Sequence, residues 1–442
     1  MLRVLTLSTL FPDATRPQFG TFVERQTLGL AALPDVTVRV IAPVGIAPLG
    51  GMLARYRVLS GLPLREDWRG LTVERPRFVH LPGVGGRFDP AMLTRALVPV
   101  MRAIRHDFAF DVIDAEFFFP DGPAAIALGR AFDVPVSIKA RGADIHAWGT
   151  AGPTRRQVVD AGCAADGLLC VSAAMKADMV ALGMPAPRIA VHYTGVDPAR
   201  FAVRDRAAAK AALDVSGPVL VSVGALIARK GHDLAITALA EVPGAMLVLI
   251  GAGPEQAALE ALAVRVGVAA RVRFMGSLGQ DAIADWLAAA DAMVLMSASE
   301  GLANAWVEAL ACGTPIVIAD VGGAREVLEG QDYAGQKVAR EPGAIAAAVR
   351  SVLAAPPERA GVARAAARFG WAANAAALKA HLAVLVAGGT ASPCTQICTI
   401  AADGENCVGC GRTIDEIGDW PGASNDRKRA ILARIRARGE RR

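Results

Sequence analysis

Between Ser299 and Asp320 the chain reads SEGLANAWVEALACGTPIVIAD, and this stretch restricts the fold more than any other. Pro315 to Ala319 is apolar at consecutive positions, so a strand formed there needs cover on both faces. Sheets covered on both faces are the parallel sheets of α/β layers, whose crossovers are helices. The preceding residues read as one such helix. Asn304 is the expected N-cap, Ala305 to Cys312 are good helix formers, and Gly313-Thr314-Pro315 ends the run. Glu300 falls in the loop before this helix, and Glu308 falls inside it. The free amides and positive dipole end of a helix suit a phosphate in that loop, and Glu308 could accept from sugar hydroxyls. Taken alone, the stretch is equally well explained as an ordinary αβ unit with two solvated glutamates.

The same alternation runs through most of the chain. Arg3 to Thr9 and Val36 to Ala42 read as strands, and a Pro- and Gly-bearing loop with Gly20 and Thr21 separates the first strand from a helix. No G-x-G-x-x-G follows that strand, which removes the main support for a dinucleotide oxidoreductase. One further strand ends at Asp114-Ala115-Glu116, others read at the start of VPVSIKARGADIHAW and at Val219 to Val223, and AMLVLIGAGPE reads as strand, glycine turn and helix start. The strand at Val219 to Val223 leads into a loop with Arg229 and Lys230, two cations able to neutralise a diphosphate if a cleft lies beside them. A length of 442 residues implies two or three such domains.

Charge excludes one class of partner. The net charge is +5, yet the sixteen residues from Arg427 hold eight Lys/Arg against one acid, leaving the rest at −2. The body is therefore not basic, which argues against nucleic acid. Residues 51 to 106 do carry ten Arg against four acids, and either solvated helices or a basic, apolar face toward a membrane would explain that bias. No secretory h-region opens the chain, and no apolar run is long enough to span a bilayer. A reducing cytoplasmic setting is the expectation, with peripheral contact at the inner membrane.

Four of the seven cysteines crowd into the tail as Cys394, Cys398, Cys407 and Cys410, after an Ala387 to Pro393 linker. The spacing C-x3-C-x8-C-x2-C suits a tetrahedral zinc site or an iron–sulfur cluster and does not choose between them. The basic helix after it, Asn425 to Arg438, should pack Ile431, Leu432 and Ile435 on the cysteine loop and leave its arginines solvated.

The Glu300-x7-Glu308 pattern resembles the signature of glycosyltransferase family 4, the retaining glycosyltransferases of the GT-B fold. The resemblance covers roughly residues 1 to 387. It implies an α/β GT-B architecture of two Rossmann-like, doubly wound domains facing a cleft. Residues 1–203 would form the acceptor domain, completed by a closing helix at about 370–387, and 204–369 the nucleotide-sugar donor domain. After a linker at 388–393, the tail (394–442) resembles the domain of unknown function 1289.

The resemblance also implies roles. Glu300 would hold the transferred sugar, Glu308 the ribose, and the amides of Gly301, Ala303 and Asn304 the diphosphate. Lys230-Gly231 match the family's Lys-Gly loop, but Ala225 stands where an arginine is usual, so Arg229 is the candidate to supply that charge. Gly20 and Thr21 match a loop facing the donor phosphate and acceptor. Glu116 stands where relatives carry a histidine beside the transferred sugar. Arg141-Gly142 and Asp144 resemble a loop lining the cleft, with His146 as a further acceptor contact. The expected reaction is hexosyl transfer from a nucleotide-diphosphate sugar to a glycan or lipid-linked hydroxyl acceptor, in polysaccharide or glycolipid assembly, without a metal for transfer. A nucleotide-sugar epimerase on the same fold, or a binding module sensing nucleotide and metal, would share most of these features.

Overall fold

The consecutive apolar runs become the central strands of two parallel sheets. The structure, a computed structural model, describes residues 1–48, 54–82, 86–388, 393–394, 399–401, 404–420, 423 and 425–439. The chain forms two units, Met1–Tyr193 with Asn374–Arg442, and Thr194–Ala373.

In the first unit the strands are β1 (Leu2–Leu7), β2 (Val36–Ile41), β3 (Val44–Ile46), β4 (Arg65–Trp68), β5 (Leu71–Glu74), β6 (Arg77–Val79), β7 (Val112–Ala115), β8 (Val136–Ala140), β9 (Gly167–Cys170) and β10 (Ile189–Val191). Eight of them make one sheet in the order β10-β9-β8-β7-β1-β2-β5-β4, while β3 and β6 pair separately. All neighbours in the large sheet run parallel except β4 and β5. Val4, Val38, Val40, Val73 and Val112 form part of its core, and Leu378 and Leu382 join them from the helix Trp371–Val386. That helix returns the chain to the first unit after the second has been built.

The second unit holds β11 (Val219–Val223), β12 (Met246–Ile250), β13 (Val272–Phe274), β14 (Ala292–Leu295), β15 (Ile316–Ala319) and β16 (Gly335–Val338). Their order is β13-β12-β11-β14-β15-β16, parallel throughout. Numbered within the unit this is 3-2-1-4-5-6, the doubly wound order of a Rossmann sheet. Ile316 to Ala319 are all buried, as the unbroken apolar run requires.

The helix after Glu300 spans Asn304–Ala311, and the residue preceding it is Ala303, in extended conformation and with no side-chain cap. Asn304 is therefore the first helical residue and not the N-cap expected from sequence. The Ala303 carbonyl already accepts the Trp306 amide at 3.1 Å, which moves the cap one residue earlier. Gly313 ends the helix at φ 71, and the Thr314 amide reaches back to Ala309 O at 2.9 Å.

In the tail, Thr413 and Glu416 form a capping box on the helix Ile414–Asp419, and Trp420 packs with Ile431, Leu432 and Ile435. In the basic helix Arg434 stays exposed, as expected, whereas Arg438 is half-buried. Arg434 and Arg438 both pair with Glu416, at 2.9 and 2.5 Å.

Leu382 is fully buried against the sheet of the first unit. Leu382→Ala should cost that unit about 2–5 kcal/mol. Urea denaturation followed on the isolated transition of the first unit checks it; an unchanged midpoint would mean the helix does not carry the core contact described.

Candidate active site

Parallel sheets that wind in both directions leave an opening where the winding reverses, beyond the strand C-termini. In the second unit the reversal lies between β11 and β14, which pair directly. The loop after β11 carries Arg229 and Lys230, and the loop after β14 carries Ser297 to Ala303. These loops touch. The Ala298 amide donates to Arg229 O at 2.8 Å, and Arg340 Nε, from beyond β16, donates to Met296 O at 2.9 Å. The approach needs a glycine: Gly231 has φ 66, and a Cβ there would sit 2.2 Å from Met296 O. Gly322 is equally constrained, with Glu300 O 2.0 Å from its hypothetical Cβ, and the Gly323 amide binds Gly301 O at 2.8 Å.

This backbone brings together residues seventy positions apart. Lys230 Nζ donates to Glu300 Oε1, and Ser297 Oγ donates to the same oxygen at 2.6 Å. Arg229 Nη1 donates to Ser299 O and lies 3.7 Å from Glu300 Oε2. Lys230 and Glu300 are mostly buried, with side chains 15% and 9% exposed, whereas Arg229 is 46% exposed. Gly301 and Ala303 are buried, and Asn304 and Glu308 partly so. The first-turn amides of the helix Asn304–Ala311 have no side-chain cap competing for them. One carboxylate, two cations and an uncapped helix start thus share one loop cluster, which can hold a polyol beside a diphosphate.

Sequence reasoning overlooked Ser297, Arg340 and His232. The His232 ring is buried between Ser222 Oγ at 3.1 Å and Ala225 O at 3.2 Å, and burial lowers its pKa. The G-H-D context of His232 could have suggested a helix start, but nothing local marks Arg340, whose partner is 44 residues away.

The first unit has its own reversal between β1 and β7. Gly20, φ 68, precedes the helix Thr21–Ala31, and a Cβ there would meet Leu10 O at 2.2 Å, so the loop after β1 doubles back tightly. Asp121 joins the two loops by accepting the Thr9 amide at 2.9 Å. Asp144 accepts the amides of Gly142 at 2.7 Å, Arg141 at 3.0 Å and Phe118 at 3.1 Å. It is fully buried, and burial raises its pKa. Glu116 is fully buried too, engaged by Arg141 Nη2 and Gln26 Nε2, while Arg141 Nε donates to Glu116 O at 2.8 Å. Burial pushes the Glu116 carboxyl upward, but the charges of Arg141 and Lys139 outweigh it and the net shift is downward. His146 faces Asp178 at 2.9 Å.

In the tail, Cys407 and Cys410 line a cavity of about 280 Å³ with Lys176 and Arg438, and Arg412 Nε lies 3.3 Å from Cys410 Sγ. Cys398 lies outside the described residues. Among the described residues no three cysteine, histidine or acidic side chains gather as a metal site would need. No helix among the described residues is long and apolar enough to cross a membrane.

Comparisons with known proteins agree with this architecture. The family model described as glycosyl transferases group 1 matches residues 203–369, and that described as glycosyltransferase family 4 matches residues 22–200. A family of unknown function, DUF1289, matches residues 392–439. The chain is 27% identical to the teichuronic acid biosynthesis glycosyltransferase named TuaC from Bacillus subtilis, over 73% of this chain and 82% of that protein. It is 37% identical to D-inositol 3-phosphate glycosyltransferase 2 of Catenulispora acidiphila, over 50% of this chain and 56% of that protein, so it spans about half of that relative. Among solved structures, sucrose-phosphate synthase from Thermosynechococcus elongatus superposes with a TM-score of 0.74 at 20% identity, covering 88% of this chain and all of the other. Anabaena HepE in complex with UDP gives 0.68 at 20% identity, covering 87% of this chain and 100% of that one.

The loop joint at Asp121 has a pH signature. Burial raises this carboxyl to about 7, against about 4 in an unfolded chain. Between those values the unfolded chain releases its proton and the folded protein keeps it, so stability falls as pH rises from about 4 to about 7 and this contribution is level above. Asp121→Asn cannot ionise and still offers an oxygen to Thr9, so its stability should fall less over that window. Urea midpoints at pH 4.5 and 7.5 check this; equal slopes for both proteins would contradict it.

Proposed function

Since the chain belongs to the family 4, group 1 glycosyltransferases of GT-B type, we propose that it is a retaining enzyme using a nucleotide-diphosphate sugar. The observation that carries this reading is the Lys230–Glu300 pair beside an uncapped helix start at the sheet's point of reversal. A sugar-diphosphate needs both halves of such a site, a carboxylate for hydroxyls and cations with amides for phosphate.

In this reading Glu300 holds the transferred sugar and Glu308 the ribose. The amides of Gly301, Ala303 and Asn304 face the diphosphate. As the bond between the anomeric carbon and the phosphate oxygen breaks, its electron pair stays on the diphosphate. Lys230 and Arg229 neutralise that charge where it develops. The acceptor oxygen arrives on the face the diphosphate leaves, which gives retention, and its proton passes to the departing phosphate. Arg141, Asp144 and His146 mark the acceptor side, with Asp144 acting through the backbone it holds. The phosphate charge is met by side chains and amides, which supports transfer without a metal.

The acceptor is a glycan or a lipid-linked hydroxyl, in polysaccharide or glycolipid assembly. The names of TuaC and of the inositol-phosphate relative support glycosyl transfer, and hexosyl transfer to a hydroxyl is our reading of it. UDP bound to HepE supports a nucleotide-diphosphate donor. Peripheral binding at the cytoplasmic membrane face rests on the arginine bias of residues 51 to 106. We also read Cys394, Cys398, Cys407 and Cys410 as a zinc or iron–sulfur module on their spacing alone.

Two measurements test these assignments. Lys230→Ala should lower kcat by about 10²-fold or more, with thermal stability within a few degrees of wild type. A wild type that neither binds nor turns over any UDP-, GDP- or ADP-sugar removes the reading, and a product of inverted configuration removes retention. For the tail, the purified protein should hold stoichiometric zinc or a coloured cluster; a colourless, zinc-free protein refutes the module.

A further inference from the structure

Beneath Glu116 and Arg141 runs a line of buried polar groups that the transfer step leaves unused. Lys139, on β8, is fully buried and donates to Gln26 Oε1 and to His192 Nδ1, the latter at 2.6 Å. Gln26 in turn donates its amide to Glu116. On the other side, His192 Nε2 meets Asn374 O at 2.9 Å, and Asn374 Nδ2 donates to Tyr193 O at 2.6 Å. Tyr193 and Asn374 are the last and first residues of the first unit on either side of the second, so the line ends where the chain leaves and re-enters this unit.

Donor and acceptor accounting fixes every direction along it. Asn374 O can only accept, so His192 Nε2 carries the hydrogen and Nδ1 has a free lone pair. That lone pair accepts from Lys139. Because Lys139 also donates to Gln26, the oxygen of the Gln26 amide must face Lys139 and its NH2 must face Glu116. Without Lys139 the two ends of that amide would be nearly equivalent, and a flip would set its oxygen against the Glu116 carboxylate.

We propose that Lys139 is a positioning residue. It fixes the Gln26 amide, through that amide the Glu116–Arg141 pair on the acceptor side, and it ties this pair to the two chain crossings at Tyr193 and Asn374. The proposal rests on the acceptor reading of the first unit given above.

The electrostatics agree. The groups facing Lys139 are Gln26 from the helix Thr21–Ala31, Asp114 and Glu116 at the end of β7, and Arg141 after β8. Cys170 on β9, His192 after β10 and His381 on the helix Trp371–Val386 complete the set. Burial first, then Arg141, lowers the Lys139 ammonium to about 7, while the Glu116 and Asp114 charges act to raise it. Burial and Lys139 lower His192 as well, in keeping with the neutral ring the hydrogen bonds require.

The test has two arms. In the first, the ε-methylene carbons of the lysines are followed by NMR against pH in the full chain. One lysine should titrate near pH 7, disappear in Lys139→Met, and move lower still in Glu116→Gln, which removes a charge that favours the ammonium. A Lys139 signal titrating near 10, or insensitive to Glu116→Gln, overturns the proposal. In the second arm, Lys139→Met should keep nucleotide-diphosphate binding by calorimetry within about twofold. Its kcat/KM for acceptor should fall at least tenfold, and the limb of the pH profile near 7 should vanish. Gln26→Met, which breaks the same relay and keeps the lysine, should reproduce the acceptor defect if Lys139→Met does not fold. Folded variants with wild-type acceptor kinetics overturn the proposal. A wild type that transfers no sugar sinks the glycosyltransferase reading instead, and the titration arm still decides whether Lys139 governs the Glu116 pair.

Discussion

The second unit of this protein depends on one constraint in its sheet, the pairing of β11 with two strands reached by crossovers of opposite direction. Leu220 and Val221 sit between β12 on one side and β14 on the other. Parallel strands force every connection over a face, and connections that diverge from one strand leave its end uncovered. The loops after β11 and β14 are therefore neighbours whatever their sequences. Their residues decide how close the approach is. Gly231 lets one backbone come within a distance of Met296 that no Cβ would tolerate, and Gly322 does the same against Glu300. Lys230 and Glu300 meet because of these contacts, and their pairing keeps two mostly buried charges from standing alone.

The first unit solves the same topological problem with acids turned inward. Asp121 and Asp144 direct their oxygens to the backbone amides of Thr9, Phe118, Arg141 and Gly142. A buried carboxylate gains from such bonds but still carries a desolvation cost, which is why burial raises both groups. These acids hold loops in place. Glu116 follows the same pattern of inward charge, with Arg141 and Gln26 occupying its oxygens.

What could be read in the sequence follows from how local each cause is. The apolar run Pro315 to Ala319 announces a buried parallel strand, because the period of its side chains is a property of adjacent residues. Lys230 and Glu300 could be proposed from spacing, since each sits in the loop that follows such a strand, although only the tertiary contact makes them a pair. Asn304 misled, because a good capping side chain is a preference and the Ala303 carbonyl had already begun the helix. Arg438 looked like a solvated charge on a basic helix; Glu416 lies in a different element, and its capping box aims it at this arginine. Lys139 is the clearest case. In VPVSIKARG it looks like a surface lysine interrupting a strand, and its burial depends on Gln26 and His192, each far away in sequence.

The departure at Glu116, where relatives are expected to carry histidine, can be weighed in terms of charge. A neutral imidazole offers one donor and one acceptor and no net charge. Glu116 alone would place a full negative charge in a buried position, which is costly. With Arg141 on one oxygen the two charges cancel, so the pair, like the imidazole, is neutral overall but strongly dipolar. Asp114 lies beside this pair, and burial first, then the Glu116 charge, raises its carboxyl well above the usual range. The substitution therefore keeps the charge balance of the position, and moves its polar contacts from one ring onto three side chains. That distribution requires each partner to be held in register, and a buried relay running from Gln26 through Lys139 to His192 is the kind of support it demands.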